Sequence, residues 1–255
     1  MMYNAIVEGK FIRRPNRFVA EVEIDGRRET VHVKNTGRCK ELLLPGATVY
    51  LEERDNPSRK TRYDLVVVHK EGLGLVNMDS QAPNKVAGEW LKAQGFSLVK
   101  AEYSYGKSRI DFYMEGQPKA EFWREAAFPA HTPADQTEQT AIPRYLMEVK
   151  GCTLEIDGVG YFPDAPTERG VKHLQELATA ARLGFRCIAA FVIQMEGIKE
   201  VRANVETHPE FGQALQLARE AGVQVLFLCC SVKPDELLIQ QALWDDAASH
   251  LQCNR

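Results

Sequence analysis

Up to about residue 80 the chain alternates apolar and polar positions in short runs. Ala5 to Ile12, Phe18 to Ile24, Arg28 to Lys34, Thr48 to Glu53 and Tyr63 to His69 each read as a strand, because strand side chains point alternately to two faces. Turn signals separate them: Asp25-Gly26 marks a tight hairpin, Asn35-Thr36-Gly37 a loop and Pro45-Gly46 a turn. Five short strands punctuated in this way suit a small closed barrel.

From Asn84 the apolar period changes to that of helices and buried strands. Asn84 is expected to cap a helix running to Gln94 and stopped by Gly95. Leu98 to Glu102, Ser108 to Phe112 and Tyr145 to Gly151 read as strands. A helix from Thr167 to about Leu183 places Val171, Leu174, Leu177, Ala178 and Ala181 on one face and Arg169, Lys172, His173 and Glu176 on the other. Cys187 to Gln194 is an apolar strand, Pro209 to Ala221 a helix stopped by Gly222, and Val223 to Cys230 a further buried strand. The change of period divides the chain into residues 1–80 and 81–255, with the boundary near Asn77 to Pro83.

Two strand ends carry the chemistry. In Glu148-Val149-Lys150 the carboxylate and the ammonium share one face of the strand, with apolar anchors at Leu146 and Val149. If Asp111, in Ser108-Arg109-Ile110-Asp111-Phe112, ends a neighbouring strand, two acids and one ammonium converge. Mg²⁺ takes oxygen ligands and usually needs only one or two carboxylates, so Asp111 and Glu148 are the expected metal ligands, with Mn²⁺ as the alternative ion. Lys150 is placed to orient a water or to offset charge developing on a phosphate. Hydrolysis of a nucleic acid is the reading these residues favour.

The same residues resemble a known family. The strand pair is similar to the core of the PD-(D/E)XK nuclease superfamily. The strings Asn35-Thr36-Gly37, Ser108-Arg109-Ile110-Asp111-Phe112, Glu148-Val149-Lys150 and Phe162-Pro163-Asp164-Ala165 through Arg169-Gly170 resemble the sugar fermentation stimulation protein family over nearly the whole chain. The resemblance implies an α/β architecture in which an N-terminal OB-fold barrel precedes a nuclease-like domain with a central mixed sheet flanked by helices, and DNA binding as the associated activity. It also implies an extra site acid, for which Glu89 is the candidate and Glu102 its competitor.

The chain departs from the superfamily pattern in two places. Ile110 replaces the proline before the acid, which leaves the chemistry intact because that proline supplies no reacting group. Pro163-Asp164 follows the Glu-x-Lys and belongs to a helix start, where Asp164 or Thr167 satisfies free amides. Residues 117–143, rich in Pro, Thr, Gln and Glu, read as an insertion with a loop-like composition. Phe122 to Phe128 within it is a short apolar segment that either covers the site or packs on the surface.

Charge limits how nucleic acid could bind. The chain carries 32 Lys and Arg against 35 Asp and Glu. There are 14 basic and 12 acidic residues up to Ser80, against 18 and 23 beyond it, so binding must rest on local clusters. The candidates are Arg13, Arg14, Arg17, Lys34, Arg38 and Lys40 in the barrel, with Arg59, Lys60 and Arg62 as a further cluster, and Arg109, Arg169 and Lys172 beyond it. Phe11, Phe18, His32 and Tyr63 are candidate stacking residues.

The six cysteines lack paired metal-ligand spacing and read as reduced. No segment reads as a secretory leader or a membrane span, so a cytoplasmic protein with no membrane partner is expected. The partner class is nucleic acid, DNA ahead of RNA. The rival readings are a DNA-binding transcriptional regulator of sugar metabolism that keeps the fold without cutting, and a protein–protein adaptor.

Overall fold

The computed structural model describes residues 1–35, 37–56, 58–106, 108–119 and 142–245. The expectation for Phe122 to Phe128 falls outside them.

The first unit is built from β1 (Ile6–Asn16), β2 (Val19–Ile24), β3 (Arg27–Val33), β4 (Thr48–Glu53), β5 (Tyr63–Lys70) and β6 (Gly74–Asn77), in the order β3-β2-β1-β4-β5-β6. Parallel pairing of β3 with β5, at His32–Asp64 and Val33–Leu65, closes it into an OB-like barrel. Closure removes the free edges of the five principal strands. Ala20, Val22, Val31, Val49, Leu51, Leu65 and Val68 fill its interior, as the alternation requires. Asp25 and Gly26 both take positive φ, 50° and 73°, the backbone that a tight hairpin matching strand twist needs. The four residues of β6 are too short for a periodic signal and were not legible in the sequence.

The second unit runs α1 (Ala82–Lys92), β7 (Leu98–Tyr105), β8 (Ser108–Glu115), β9 (Arg144–Cys152), β10 (Leu154–Ile156), β11 (Val159–Phe162), α2 (Glu168–Arg182), β12 (Arg186–Ile193), β13 (Glu200–Ala203), α3 (Pro209–Glu220), β14 (Gln224–Val232) and β15 (Leu237–Trp244). Its main sheet has the order β15-β14-β12-β9-β8-β7, with β9, β12 and β14 parallel and the outer strands antiparallel. A mixed sheet flanked by helices is therefore present, with a small additional sheet of β10, β11 and β13. Val86, Ala87 and Leu91 of α1 pack with Met147 and Val149, while Leu174 and Leu177 of α2 join a second core with Leu146 and Ile110.

Two local expectations need correcting. The first helix begins at Ala82, with Pro83 in its first turn and Gln81 at the cap position, so Asn84 is not a cap and its side chain is free for another role. Cys39, Cys152, Cys187 and Cys230 are free and buried, but Cys229 is disulfide-bonded.

The two units interlock. Lys34 of the barrel pairs with the buried Asp79 at 2.5 Å, and Lys70 of β5 pairs with Glu155 of β10 at 2.5 Å. Buried Gln194, beyond β12, donates to the carbonyls of Asn77 and Asp79 and to Asn77 Oδ1. The first residues also join the second unit, since Leu237 donates its amide to Met1 O and Tyr3 donates its amide to Asp235 O. Asp164 contributes to the same joint. A Cβ added to Gly37 would lie 2.0 Å from Asp164 Oδ2, so any side chain there must displace the Asp164 carboxylate. Among the described residues no helix is long and apolar enough to cross a membrane.

Candidate active site

The site forms where β8 and β9 part. Their ladder runs from Glu115–Arg144 to Phe112–Met147 and ends there. On its other side β8 pairs with β7 at Ala101–Phe112 and next at Tyr103–Ile110, and Glu102 between them has left-handed backbone with φ 55°. Asp111 falls in the gap of both ladders, and its side chain takes up the free groups. Asp111 Oδ2 accepts the Val149 amide at 2.8 Å and Oδ1 accepts Asn84 Nδ2 at 2.7 Å. Burial and the nearby charge of Glu148 raise the Asp111 pKa above the ordinary carboxylate range, against the lowering effect of the Val149 amide, Lys150 and Asn84.

Strand β9 stays regular through the site because it pairs in parallel with β12 from Tyr145–Arg186 to Cys152–Ile193. This fixes Glu148, only 2% exposed, on the face toward α2. Its Oε1 accepts Lys150 Nζ at 2.6 Å and also His173 Nδ1. Burial alone would raise the Glu148 pKa, but the hydrogen bonds from His173 and Lys150 outweigh it and hold the carboxyl below its usual range. Glu148 Oε2 is buried with no hydrogen-bond partner. An unpaired buried carboxylate oxygen is costly unless a positive group meets it, and Glu176 Oε2 on α2 is in the same state.

The expected polar face of α2 does not include His173, which the structure buries at 5% exposure. The legible signal was its place in the helix, next to Leu174 and one turn before Leu177, at the margin of the apolar stripe. Asn84, whose residue type also suits a helix cap, instead serves the site by donating to Asp111. Thr167 does cap α2, accepting the Gly170 amide at 3.0 Å.

One cavity opens on Asp111, and a second lies on the α2 side next to His173. The first, of about 410 Å³, is lined by Asp111, Asn84, Lys85, Glu89, Lys92 and Glu102 among others. The second, of about 610 Å³, is lined by Ser108, Arg109, Arg169, Lys172 and His173 among others. The structure thus gathers the three basic residues expected beyond the barrel into one groove at the β8 start and α2. Arg109 lies 2.7 Å from Glu102, and Lys172 lies 3.6 Å from Glu176. Glu89 lines the Asp111 cavity, but its carboxylate pairs with the Met1 ammonium at 2.8 Å.

The barrel candidates separate into two groups. Arg14 donates to the carbonyls of Arg17, Asn35, Gly37 and Arg38, and Lys34 is held by Asp79, so both are committed to the fold. Arg13 pairs with Glu21. Arg59 holds the buried Asp64 and Arg62 pairs with Glu53, while Lys60 of that further cluster is exposed. Arg38 and Lys40 are exposed, and Arg17 lies 4.9 Å over the ring of Phe18, itself 47% exposed. Phe11 and Tyr63 are buried in the barrel, and His32 bonds to Asp64.

Residues 12–78 match the SfsA N-terminal OB domain, and residues 81–236 match the sugar fermentation stimulation protein RE domain. The chain belongs to the sugar fermentation stimulation protein family. A sugar fermentation stimulation protein homolog of Clostridium beijerinckii is 47% identical over 244 residues, covering 94% of this chain and 97% of that one. A homolog of the same name from Desulfitobacterium hafniense is 48% identical over 241 residues, covering 93% and 94%. Among solved structures, Pyrococcus furiosus SfsA in complex with Ca²⁺ matches with a TM-score of 0.71 at 25% identity, over 96% of this chain and 95% of that one.

Proposed function

We propose that this member of the sugar fermentation stimulation protein family is a divalent-cation-dependent nuclease that hydrolyses phosphodiester bonds in DNA, with Mg²⁺ as its working ion. The observation that carries the reading is the buried, unpartnered Glu148 Oε2 beside Asp111. Asp111 and Glu148 are the residues that would hold the ion. Among the described residues no group of three or more His, Cys, Asp or Glu forms a metal cage. Two carboxylates still suffice for Mg²⁺, which completes its shell with water and phosphate oxygens. The Ca²⁺ complex of the Pyrococcus protein supports a hard divalent ion in this fold. Bound there, the ion would supply Lewis acidity toward the phosphate and lower the pKa of water.

The chain's own residues do the rest. The Lys150 ammonium, held at 2.6 Å from Glu148, faces the reacting phosphate in this reading, where it orients the attacking water or stabilises charge developing on oxygen. Arg109, Arg169 and Lys172 grip the backbone along their groove without reading sequence. In the barrel, Phe18 with Arg17 offers a stacking platform, and Arg38 and Lys40 offer phosphate contacts. A protein that only binds DNA leaves the buried acid pair unexplained, because without a cation the pair repels phosphate.

The test is incubation of the full chain with single-stranded, double-stranded and branched DNA and with RNA, in Mg²⁺, in Mn²⁺ and in EDTA. Cation-dependent cutting of DNA is expected. DNA binding without cutting in either ion overturns the reading in favour of a regulator.

A further inference from the structure

We propose that His173 is a positioning residue for Glu148, acting through a hydrogen-bond chain that starts at Arg169 in the basic groove. The chain is geometric, and only its consequence for a cation rests on the nuclease reading.

His173 lies on α2, 25 residues from Glu148 in sequence, and is almost wholly buried. An ordinary core histidine satisfies its ring on main-chain carbonyls. Here the nitrogens face charged side chains instead, with Nδ1 against Glu148 Oε1 and Nε2 against Arg169 Nε at 3.3 Å. A guanidinium has donors and no acceptor, so Nε2 must accept, which leaves the proton of the neutral ring on Nδ1. Arg169 therefore selects the tautomer that can donate to Glu148. Without it, the Nε2–H form would turn an Nδ1 lone pair toward a carboxylate oxygen.

The result is an asymmetric carboxylate. Oε1 receives two donors, His173 Nδ1 and Lys150 Nζ, and Oε2 receives none. Lys150 reaches Glu148 from the same strand on a flexible stem, whereas His173 reaches it from a packed helix with two torsions, and so fixes which oxygen stays bare. Outer partners of this kind typically contribute about 10–100-fold to metal affinity by fixing the ligand.

The test uses the full chain as wild type, His173→Ala, His173→Asn and Arg169→Met, with Mn²⁺ alone titrated by calorimetry and with ¹⁵N-histidine spectra recorded in parallel. Wild-type His173 is expected in the Nδ1–H tautomer, and Arg169→Met should shift it toward a mixture. His173→Ala should weaken Mn²⁺ by about tenfold or more. His173→Asn, whose amide nitrogen stands near the Nδ1 position, should recover most of that loss, and it keeps the comparison available if His173→Ala does not fold. An Nε2–H tautomer in wild type, unchanged Mn²⁺ affinity in His173→Ala, or no recovery in a folded His173→Asn overturns the proposal. The expected tautomer behaviour with no Mn²⁺ uptake by wild type overturns the nuclease reading instead and leaves the Arg169–His173–Glu148 chain standing.

Discussion

Asp111 accepts the main-chain amide of Val149 at 2.8 Å, so the acid at the broken end of the β8–β9 ladder is tied to the residue between Glu148 and Lys150. The three reactive side chains are thereby referenced to one short piece of backbone. That piece is itself fixed by parallel pairing with β12. A site on rigid strands keeps its geometry better than one on loops.

Asp111→Asn should separate stability from cation binding. The neutral amide still accepts from Val149, and Asn84 can rotate its own amide to meet it. Burial and Glu148 raise the folded pKa of Asp111, so its ionisation opposes folding. Its contribution is fully present below the unfolded value of about 3.9 and is lost as pH rises through the higher folded value. Thermal melts without metal should show Asp111→Asn more stable than wild type at neutral pH, with the gain vanishing below about pH 4. Added Mg²⁺ should stabilise wild type only.

Asp64 should behave in the opposite sense. Burial would raise its pKa, but Arg54, Arg59 and His32 outweigh this and lower it. A lowered folded pKa contributes stability above the unfolded value and loses it as pH falls through the folded one. Asp64→Asn should therefore be less stable than wild type at neutral pH, with the difference shrinking in acid. An equal deficit at every pH would assign the loss to packing alone.

Much of this was legible in the sequence for a physical reason. Alternation in the barrel and the apolar runs Cys187 to Gln194 and Val223 to Cys230 follow from burial on one or two faces, which any short window shows. The pairing of Glu148 with Lys150 follows from the period of a strand. What stayed hidden depends on tertiary contact. Asn84 reads as a cap until the helix is seen to start at Ala82, and His173 reads as polar surface until Glu148 is seen opposite it. Arg14 and Lys34 look like phosphate contacts because sequence shows a cation without its partners, four carbonyls in one case and Asp79 in the other.

That distinction predicts two kinds of barrel mutant. Arg14→Ala removes donors from four carbonyls and should cost about 2–4 kcal/mol of stability. Arg38→Ala with Lys40→Ala should leave the melting temperature unchanged, weaken DNA binding and lower the salt slope of affinity by about one to two. Melting curves and fluorescence anisotropy at several salt concentrations check both. An Arg14→Ala protein as stable as wild type would return Arg14 to the binding surface.

The joint between the units should make them melt together. Lys34→Met strands the buried Asp79 carboxylate and should cost about 3–5 kcal/mol. At roughly 2–4 °C per kcal/mol for chains of this size, the single transition of the whole chain should fall by on the order of ten degrees. A barrel that melts separately, with the second unit unaffected, would show that Lys34–Asp79 and Lys70–Glu155 do not couple the two.

The central claim is tested most directly by single-turnover cleavage of DNA at saturating protein, comparing wild type with Glu148→Gln in Mg²⁺. Wild type should cut only when the ion is present. Glu148→Gln should cut at least about a hundredfold more slowly while binding DNA as well as wild type, or better, in EDTA, because it lacks both a ligand and a repelling charge. Equal rates in the two proteins, or a wild type that binds DNA tightly and never cuts it, would contradict the account.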